Sequence, residues 1–466
     1  MTTTARSETL AVKTAAKPSV TPDRFATSLG VLTATLGSAV GLGNIWKFPY
    51  LTGENGGAAF LLIYLACTLL VGLPIIVTEH MIGRKGRGDA ITSLRRLAPN
   101  GPWWLIGASG VLAAFLIMAF YSEVAGWVFA YIFKSASAGA LSTDPATTSA
   151  AFDSLVTNPV LSLFWQWFVL ILVGIIIMIG VSKGIEATTK RLMPVLFGLL
   201  LVLCVRSLTL PGAAEGLTFL FKPDFSKVTG EVILVALGLA FFKLSIGMGT
   251  MITYGSYYGD DQNIPVNASR VVFADLAVSL LAGIAIFPAV FAFGFQPEAG
   301  PSLLFITIPA VFASMPAGQV FMALFFVLTG IASLGAQLSL IEVPTAYLIH
   351  RFKMSRKWAT IITISSLMVV GSTAALSNSL LSHVKLFGKS PFDLFDYVSS
   401  NILLPVGGLF LALLAGWVLR YDFFKEALSN GGKLKNERFV RFLYIIVAFV
   451  TPLLVFLILL NSLNLF

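Results

Sequence analysis

The chain has 466 residues, of which 57% are hydrophobic and only 11% are charged. Water-soluble proteins carry about 25% charged residues, so this composition, with a mean hydropathy of +0.88, excludes a large soluble domain. The net charge of +9 does not indicate a nucleic-acid partner, because the basic residues lie in loops between apolar segments and report membrane topology. We therefore predict an all-α polytopic membrane protein in contact with the lipid bilayer.

Eleven segments are long and apolar enough to cross a bilayer, which requires about 20 largely apolar residues. In chain order, as α1 to α11, they cover approximately residues 25–50, 58–82, 103–135, 160–181, 189–210, 229–256, 267–296, 318–349, 357–376, 398–420 and 440–463. They divide the chain into α1–α5 at 25–210, an extracellular connection at 211–228, α6–α10 at 229–421, and a cytoplasmic loop with α11 at 422–466. The polar residues 1–24 are predicted to form a disordered cytoplasmic tail.

Most lysines and arginines fall in the N-terminal tail and in every second loop, as in residues 84–96, 351–357 and 420–441. Loops rich in these residues stay in the cytoplasm. We therefore predict a multi-pass protein of the cell (inner) membrane with a cytoplasmic N-terminus. Eleven spans then place the C-terminus outside the cell.

Two of the segments carry glycines at membrane depth. The α1 segment contains "SAVGLGNIWKFP" at 38–49, and the α6 segment contains "FFKLSIGMGT" at 241–250. Each glycine costs about 1 kcal/mol in a helix interior, and irregular backbone inside a membrane is tolerated only where it faces protein or a cavity. Broken helices at matching places in two halves indicate a transporter site, with α1–α5 and α6–α10 as inverted halves. The alternative is that these glycines only permit close helix packing.

Five ionisable residues lie within the spans, and each costs about 2.5–3.5 kcal/mol at a helix centre. They are Glu79, Glu123, Lys243, Asp275 and Glu342. Because of this cost we expect them to face the interior of the bundle and to be paired. Lys243 directly precedes the α6 break, so we expect it to reach a central cavity. The alternative is that the charged group reaches toward the polar interface from near a helix end, which suits Glu79 and Glu342 better than Lys243.

Several kinds of chemistry are not supported by the sequence. It contains no phosphate-binding G-x-x-x-x-G-K-[ST] loop and no H-E-x-x-H motif, which argues against an ATP-driven pump and an intramembrane zinc protease. Both cysteines, Cys67 and Cys204, lie in apolar runs, which argues against a disulfide or a zinc site. We therefore expect neither an enzyme nor a cofactor.

Four motifs resemble the bacterial amino-acid branch of the neurotransmitter:sodium symporter family. They are "SAVGLGNIWKFPYLTGENGGAAF" at 38–60, "ITYGSYYGDDQNI" at 252–264, "LLAGIAIFP" at 280–288 and "FDLFDYVSSNILLPVGG" at 392–408. The resemblance extends over essentially residues 23–463. It implies the leucine-transporter fold, in which a 5+5 inverted repeat with unwound α1 and α6 alternates access around a central amino-acid site.

The resemblance also implies where a substrate binds. The substrate carboxylate would meet the amides of Leu42 and Gly43 and the hydroxyl of Tyr121, and positive half-helix ends independently favour an anion there. Gly41 occupies the place where monoamine carriers have an aspartate, which favours a zwitterionic α-amino acid. The implied substrate pocket comprises Ala39, Gly41, Leu42, Gly43, Ile117, Tyr121, Phe242, Ser245, Met248, Gln337 and Leu340.

The gates are carried over in the same way. Lys47, where the family usually has arginine, would pair with Asp396 on the outer side, and Phe242 would cover the substrate. Glu79 matches a glutamate that steadies the α6 break. On the inner side, His350 stands where the family has an acid, and Phe25 stands where it has a tryptophan.

Both sodium sites depart from the family pattern. At the first site Ala39, Asn44 and Asp275 match, but the threonine position is Lys243, which has three donors and no acceptor. At the second site the hydroxyl positions are Gly335 and Ala336. The remaining carbonyls, on Gly37, Val40 and Ala332, are a poor cage for a hard cation. We predict that the Lys243 ammonium, paired with Asp275, replaces the first sodium ion and that sodium is not required.

The sequence thus predicts a secondary transporter that carries an amino acid without sodium. Coupling of this transport to protons is left open. Glu123 falls where an apolar residue is expected, two residues after Tyr121, and should point away from the substrate. Glu79, Glu123 and His350 are candidate structural or proton-linked groups. Three alternatives remain open: a sodium symporter with a shifted α8 register, a non-transporting amino-acid sensor, and, with least support, a channel. The hydroxyls available to a shifted α8 are Thr329, Ser333 and Ser339.

Overall fold

The computed structural model describes residues 24–137, 142–295 and 303–462. Within these ranges the chain is built from helices, with one isolated β-bridge between Leu386 and Lys389. The predicted N-terminal tail falls outside the described residues except for Arg24. The prediction of an all-helical architecture is confirmed.

Nine of the predicted spans are continuous helices of spanning length in the described part of the chain. They are α2 (Ala58–Gly86), α3 (Trp104–Ser135), α4 (Pro159–Ile179), α5 (Val181–Leu208), α7 (Ile264–Ala292), α8 (Gly318–Phe352), α9 (Arg356–Asn378), α10 (Pro391–Leu428) and α11 (Glu437–Leu460). The other two are broken. The first consists of α1a (Ser28–Ala39) and α1b (Gly43–Glu54), bent by 47°, and the second of α6a (Gly230–Lys243) and α6b (Thr250–Ser256).

The two breaks have local causes in the sequence. After α1a the backbone becomes extended at Val40, with φ −83° and ψ 99°, and the helix resumes at Gly43. Between α6a and α6b, Gly247 and Gly249 adopt φ of +80° and +73°, a region that only glycine enters without strain. A side chain at Gly247 would also lie 2.7 Å from the carbonyl oxygen of Leu404 in α10. Glycine at this position therefore serves both the turn and the packing.

The broken helices lie at the centre of the bundle. The α8 helix packs against α3, α1a, α5 and α9, and α6b packs against α2. By contrast, α4 and α5 expose large apolar side chains such as Phe164, Ile175 and Val205, as expected for a surface that faces lipid tails. The fold thus surrounds both interruptions with helices and presents its apolar exterior to the bilayer.

Candidate functional site

A small cavity lies where the breaks of α1 and α6 face α3 and α8. Its lining residues are Ser38, Ala39, Gly41, Gly43, Ile117, Tyr121, Phe242, Lys243, Ser245, Met248, Ala336 and Leu340. The cavity volume of ≈ 20 Å³ corresponds to about one water molecule. The structure is therefore closed around this site, and a ligand as large as an amino acid requires it to expand.

Most of the pocket residues predicted from the sequence line this cavity, but Leu42 and Gln337 do not. The Leu42 amide donates to the Tyr121 hydroxyl at 2.9 Å, which ties α3 to the α1 break. The Gln337 side chain is fully buried beside the cavity, and its amide nitrogen lies 3.4 Å from Ser333 Oγ. Its neighbour Ala336 takes the cavity position, since adjacent helical residues differ by about 100° in direction.

Ser38 is a lining residue that the sequence did not single out. Its carbonyl oxygen accepts from the Ser245 hydroxyl at 2.9 Å, and its own hydroxyl donates to Ser339 at 2.8 Å. Ser38 therefore joins α1a both to the α6 break and to α8. Its position in the sequence, close to the "GLG" break of α1, could have identified it as a lining residue.

Lys243 and Asp275 form a buried ion pair next to the cavity. The Lys243 ammonium lies 3.2 Å from Asp275 Oδ2, and both side chains are 0% exposed. The ammonium also donates to the Tyr64 hydroxyl at 2.7 Å and to the Ser279 hydroxyl. These three partners use all three donors of a lysine ammonium, so the cation is fully coordinated by α2 and α7.

The acid of this pair is held from the side of α1. Asn44 donates from Nδ2 to Asp275 Oδ1 at 2.6 Å and to Ser279 Oγ at 3.2 Å, while its Oδ1 accepts from the Gly41 amide at 3.2 Å. The network of Asn44, Tyr64, Lys243, Asp275 and Ser279 thus joins both broken helices to α2 and α7. Tyr64 and Ser279 were missed from the sequence, although Ser279 lies one helical turn after Asp275.

At the second site implied by the resemblance, α1a and α8 touch backbone to backbone. A side chain at Gly335 would lie 2.5 Å from the carbonyl oxygen of Gly37. The nearby α8 hydroxyls of Thr329 and Ser333 donate to carbonyls of their own helix, at 2.7 and 2.8 Å. The positions where the resemblance places two hydroxyl ligands are Gly335 and Ala336.

We expect Gly335→Ala to destabilise the protein by about 1–3 kcal/mol, the usual cost of overpacking. The new methyl group would meet the rigid backbone of Gly37 at 2.5 Å. Gly330→Ala is the matched control, because its methyl group would meet side chains only, the nearest being the flexible end of Ile132 at 3.0 Å. Thermal unfolding of the detergent-purified variants measures the difference, and equal melting temperatures would contradict the close contact.

On one side of the cavity, Lys47 and Asp396 stand above Phe242. The Lys47 ammonium lies 3.9 Å from Asp396 Oδ1 and 4.2 Å from the centre of the Phe242 ring. The side chains of Lys47 and Asp396 are 19% and 40% exposed, so the ion pair is partly screened by solvent. An aromatic ring capped by a cation therefore closes this face.

We expect Asp396→Ala to impair transport more than folding. Exposed ion pairs contribute about 0–1 kcal/mol, so the melting temperature should hardly change. Uptake should fall if Lys47, Asp396 and Phe242 form the predicted outer gate. Uptake into proteoliposomes, compared with thermal unfolding of the same preparation, tests this. Asp393→Ala, three residues earlier in α10 but without an ion pair to Lys47, is the control. Wild-type uptake by Asp396→Ala would remove the gate assignment.

The opposite end of the bundle is closed by aromatic and ionic contacts. Phe25 packs edge-on against Tyr254, Tyr257 and Tyr258, with ring centres 5.5–6.5 Å apart. His350 Nδ1 lies 3.6 Å from Asp89 Oδ2. Glu186 of α5, which the sequence did not single out, accepts from the Ala26 amide at 2.6 Å and from the Thr27 hydroxyl at 2.8 Å. It thereby joins the start of α1a to α5.

The remaining intramembrane acids are buried. Glu342 accepts two hydrogen bonds from Arg356, each 2.8 Å long, and Glu79 accepts from the Gly247 amide in the α6 break at 2.6 Å. Because both acids are 0% exposed, the alternative that their charged groups reach toward the polar interface was wrong. Glu123 accepts from the Trp127 indole at 2.6 Å. That partner lies one turn along the same helix, a spacing visible in the sequence.

Comparisons with known proteins agree on one family. Residues 23–145 and 158–466 match the sodium:neurotransmitter symporter family. An uncharacterized sodium-dependent transporter of Bacillus subtilis is 41% identical over 94% of this chain and 97% of its own length. Another from Haemophilus influenzae is 36% identical over 94% and 98%. The crystal structure of MhsT in complex with L-phenylalanine has a TM-score of 0.86 at 41% identity, covering 94% of this chain and 99% of MhsT.

Proposed function

The chain belongs to the sodium:neurotransmitter symporter family, and from that premise we propose that it transports a zwitterionic α-amino acid by alternating access without sodium. Membership makes it a multi-pass secondary transporter and not an enzyme. The observation that carries the sodium independence is the Lys243 ammonium. It is fully buried and bound to Asp275, Tyr64 and Ser279, and the family resemblance implies a sodium ligand at this position.

The substrate class is supported by the donors at the α1 break. The Leu42 amide donates to the Tyr121 hydroxyl at 2.9 Å, and a substrate carboxylate that replaced this hydrogen bond would accept from both groups. Gly41 has no carboxylate that could pair with the amino group of an amine substrate. A side chain added at this position would also crowd the site, because it would lie 2.9 Å from Ala336 and 3.0 Å from Tyr121. Ile117, Met248 and Leu340 make the rest of the cavity largely apolar. MhsT, the structural neighbour, is seen with L-phenylalanine.

The tethered ammonium supplies what a bound cation would supply. It neutralises Asp275 and carries positive charge beside the cavity, where a substrate carboxylate gains from it. Because all three ammonium donors are in use, contact with the carboxylate requires exchange of one of these hydrogen bonds. The positive charge is then present in every step of transport and needs no ion gradient to load it.

The topology proposal rests on where the basic loops meet. Arg84 of the α2 end donates to the Gln262 carbonyl at 2.7 Å and to Asn430 Oδ1 at 3.0 Å. The end of α2, the segment before α7 and the loop between α10 and α11 therefore lie at the same end of the bundle, and basic residues are frequent in or beside all three. We assign that end, with the N-terminus, to the cytoplasm of the cell membrane by the positive-inside rule.

A sodium-coupled mechanism is the second candidate, because the relatives from Bacillus subtilis and Haemophilus influenzae are both named sodium-dependent. One contact favours a rearranged site. The hydroxyls of Ser38 and Ser339 meet at 2.8 Å between α1a and α8, one turn from the Gly37–Gly335 contact. Two hydroxyl oxygens on facing helices are the kind of ligand that an alkali ion accepts.

The test is binding of a panel of amino acids to the purified protein, with sodium or choline as the only cation and at two pH values. The proposal predicts equal affinity in the two salts and no competition by decarboxylated amines. A strong requirement for sodium supports the second candidate instead. Competition by amines overturns the carboxylate assignment, and a change with pH in both salts indicates proton linkage.

A further inference from the structure

A cleft of ≈ 720 Å³ lies between the start of α7 and the start of α11. Arg270, Phe273, Lys435 and Phe439 are among its lining residues. A second cleft of ≈ 700 Å³ lies on the other side of the 429–436 loop and shares Lys435 and Phe439 with the first. Both are distant in sequence from the central cavity, and neither shares a lining residue with it.

Three of the four cations that line these clefts have no acidic partner among the described residues. Lys425 is paired with Glu437 at 3.1 Å. Arg270, Lys435 and Arg438 make no ion pair within 4.0 Å in the ranges that the structure describes. The clefts therefore hold uncompensated positive charge that suits an anion.

The floor of the first cleft is apolar and open. Phe273 is 58% exposed, Val266 is 40% exposed and Phe439 is 36% exposed. Val266 and Phe439 lie in the first turns of α7 and α11, and Phe273 lies about two turns further along α7. Both helices are long and apolar enough to span a bilayer. A soluble anion needs only the cations, whereas a phospholipid also covers the adjoining aromatic surface with its acyl chain.

The wall of the cleft is held in place by hydrogen bonds. Asn430 donates to the Gln262 carbonyl at 3.2 Å, beside the start of α7. Asn436 donates to the Leu428 carbonyl at 3.0 Å and so closes the loop on α10. Arg84 binds both Asn430 and Gln262. Lys435 is thus presented on a fixed loop next to Arg270 of the α7 helix, which lowers the cost of ordering the two side chains around a ligand.

We propose that this cleft binds an anionic phospholipid, with its phosphate at Arg270 and Lys435 and an acyl chain along Phe273 and Phe439. The bound lipid would link the start of α7 to the loop between α10 and α11. The inference does not depend on the transported substrate or on sodium.

The experiment is a titration of the detergent-purified full chain with phosphatidylglycerol or phosphatidylcholine of equal chain length, followed by native mass spectrometry. The test variant is Arg270→Gln/Lys435→Gln. The control is Lys353→Gln/Lys357→Gln, which removes the same charge from two exposed residues, one just after α8 and one in the first turn of α9, that line neither cleft. We expect wild type and control to prefer phosphatidylglycerol, and the test variant to bind it about thirtyfold more weakly.

Two results would overturn the lipid site. One is equal binding of both lipids by wild type, and the other is equal phosphatidylglycerol binding by test and control variants. A third arm adds glycerol phosphate as a competitor. If it displaces phosphatidylglycerol at similar concentration, the cleft is a site for a soluble anion and the lipid assignment is wrong. Failure of this proposal leaves the amino-acid binding experiment unaffected.

Discussion

Replacing Lys243 with threonine should make substrate binding depend on sodium, whereas the wild type should bind equally well in sodium and in choline. The variant removes the tethered ammonium and leaves Asp275 without its cation. Asn44 and Asp275 remain, and the threonine restores an oxygen ligand in place of three donors. A free sodium ion can then neutralise Asp275 in the space that the ammonium occupied.

Lys243→Met is the matched control for this experiment. Methionine fills similar volume but supplies neither a charge nor a hard oxygen ligand. We expect weak binding by this variant with little gain from sodium. Scintillation proximity or calorimetric titration of each protein in both salts measures the effect. Strong sodium dependence in the wild type, or the same sodium response in the Met and Thr variants, would contradict the substitution of lysine for sodium.

Much of the fold was predictable because placing polar backbone or charged side chains inside a membrane costs free energy. Both costs restrict which residues occur in a membrane-spanning sequence. Apolar length defined the eleven segments, and all eleven are helical in the structure. Glycine at membrane depth marked the breaks, and Gly247 and Gly249 indeed adopt positive φ. The cost of burying a charge led to the expectation that Lys243 is paired, and the family resemblance pointed to Asp275 as its partner. The two side chains lie 3.2 Å apart.

The parts that escaped prediction depend on the direction of side chains. Gln337 and Ala336 are neighbours in sequence, yet only Ala336 lines the cavity, and the difference is one step of helical rotation. Tyr64 is one of many aromatic residues in an apolar segment, so nothing in its surroundings distinguishes it as a partner of Lys243. Arg356 begins the next helix after Glu342, and their pairing follows only from the turn between α8 and α9. Such contacts require the rotation and docking of each helix.

Breaking the Lys243–Asp275 pair from either side should destabilise the protein by about 3–5 kcal/mol, as expected when a buried charge loses its partner. Lys243→Met leaves the Asp275 carboxylate with only the neutral donors Asn44 and Tyr64. Asp275→Asn leaves the ammonium with only the Tyr64 and Ser279 hydroxyls. Either variant keeps one ion in a site from which solvent is excluded.

The double variant Lys243→Met/Asp275→Asn should recover much of that loss, because neither charge is then buried without a partner. Unfolding of all four proteins in one detergent gives the coupling energy directly. The exposed pair Lys85–Glu426, at 2.5 Å with side chains 32% and 67% exposed, is the control, and Lys85→Met should cost less than about 1 kcal/mol. Single variants no less stable than that control, or a double variant as unstable as the sum of the two, would show that the buried pair does not hold the broken helices together.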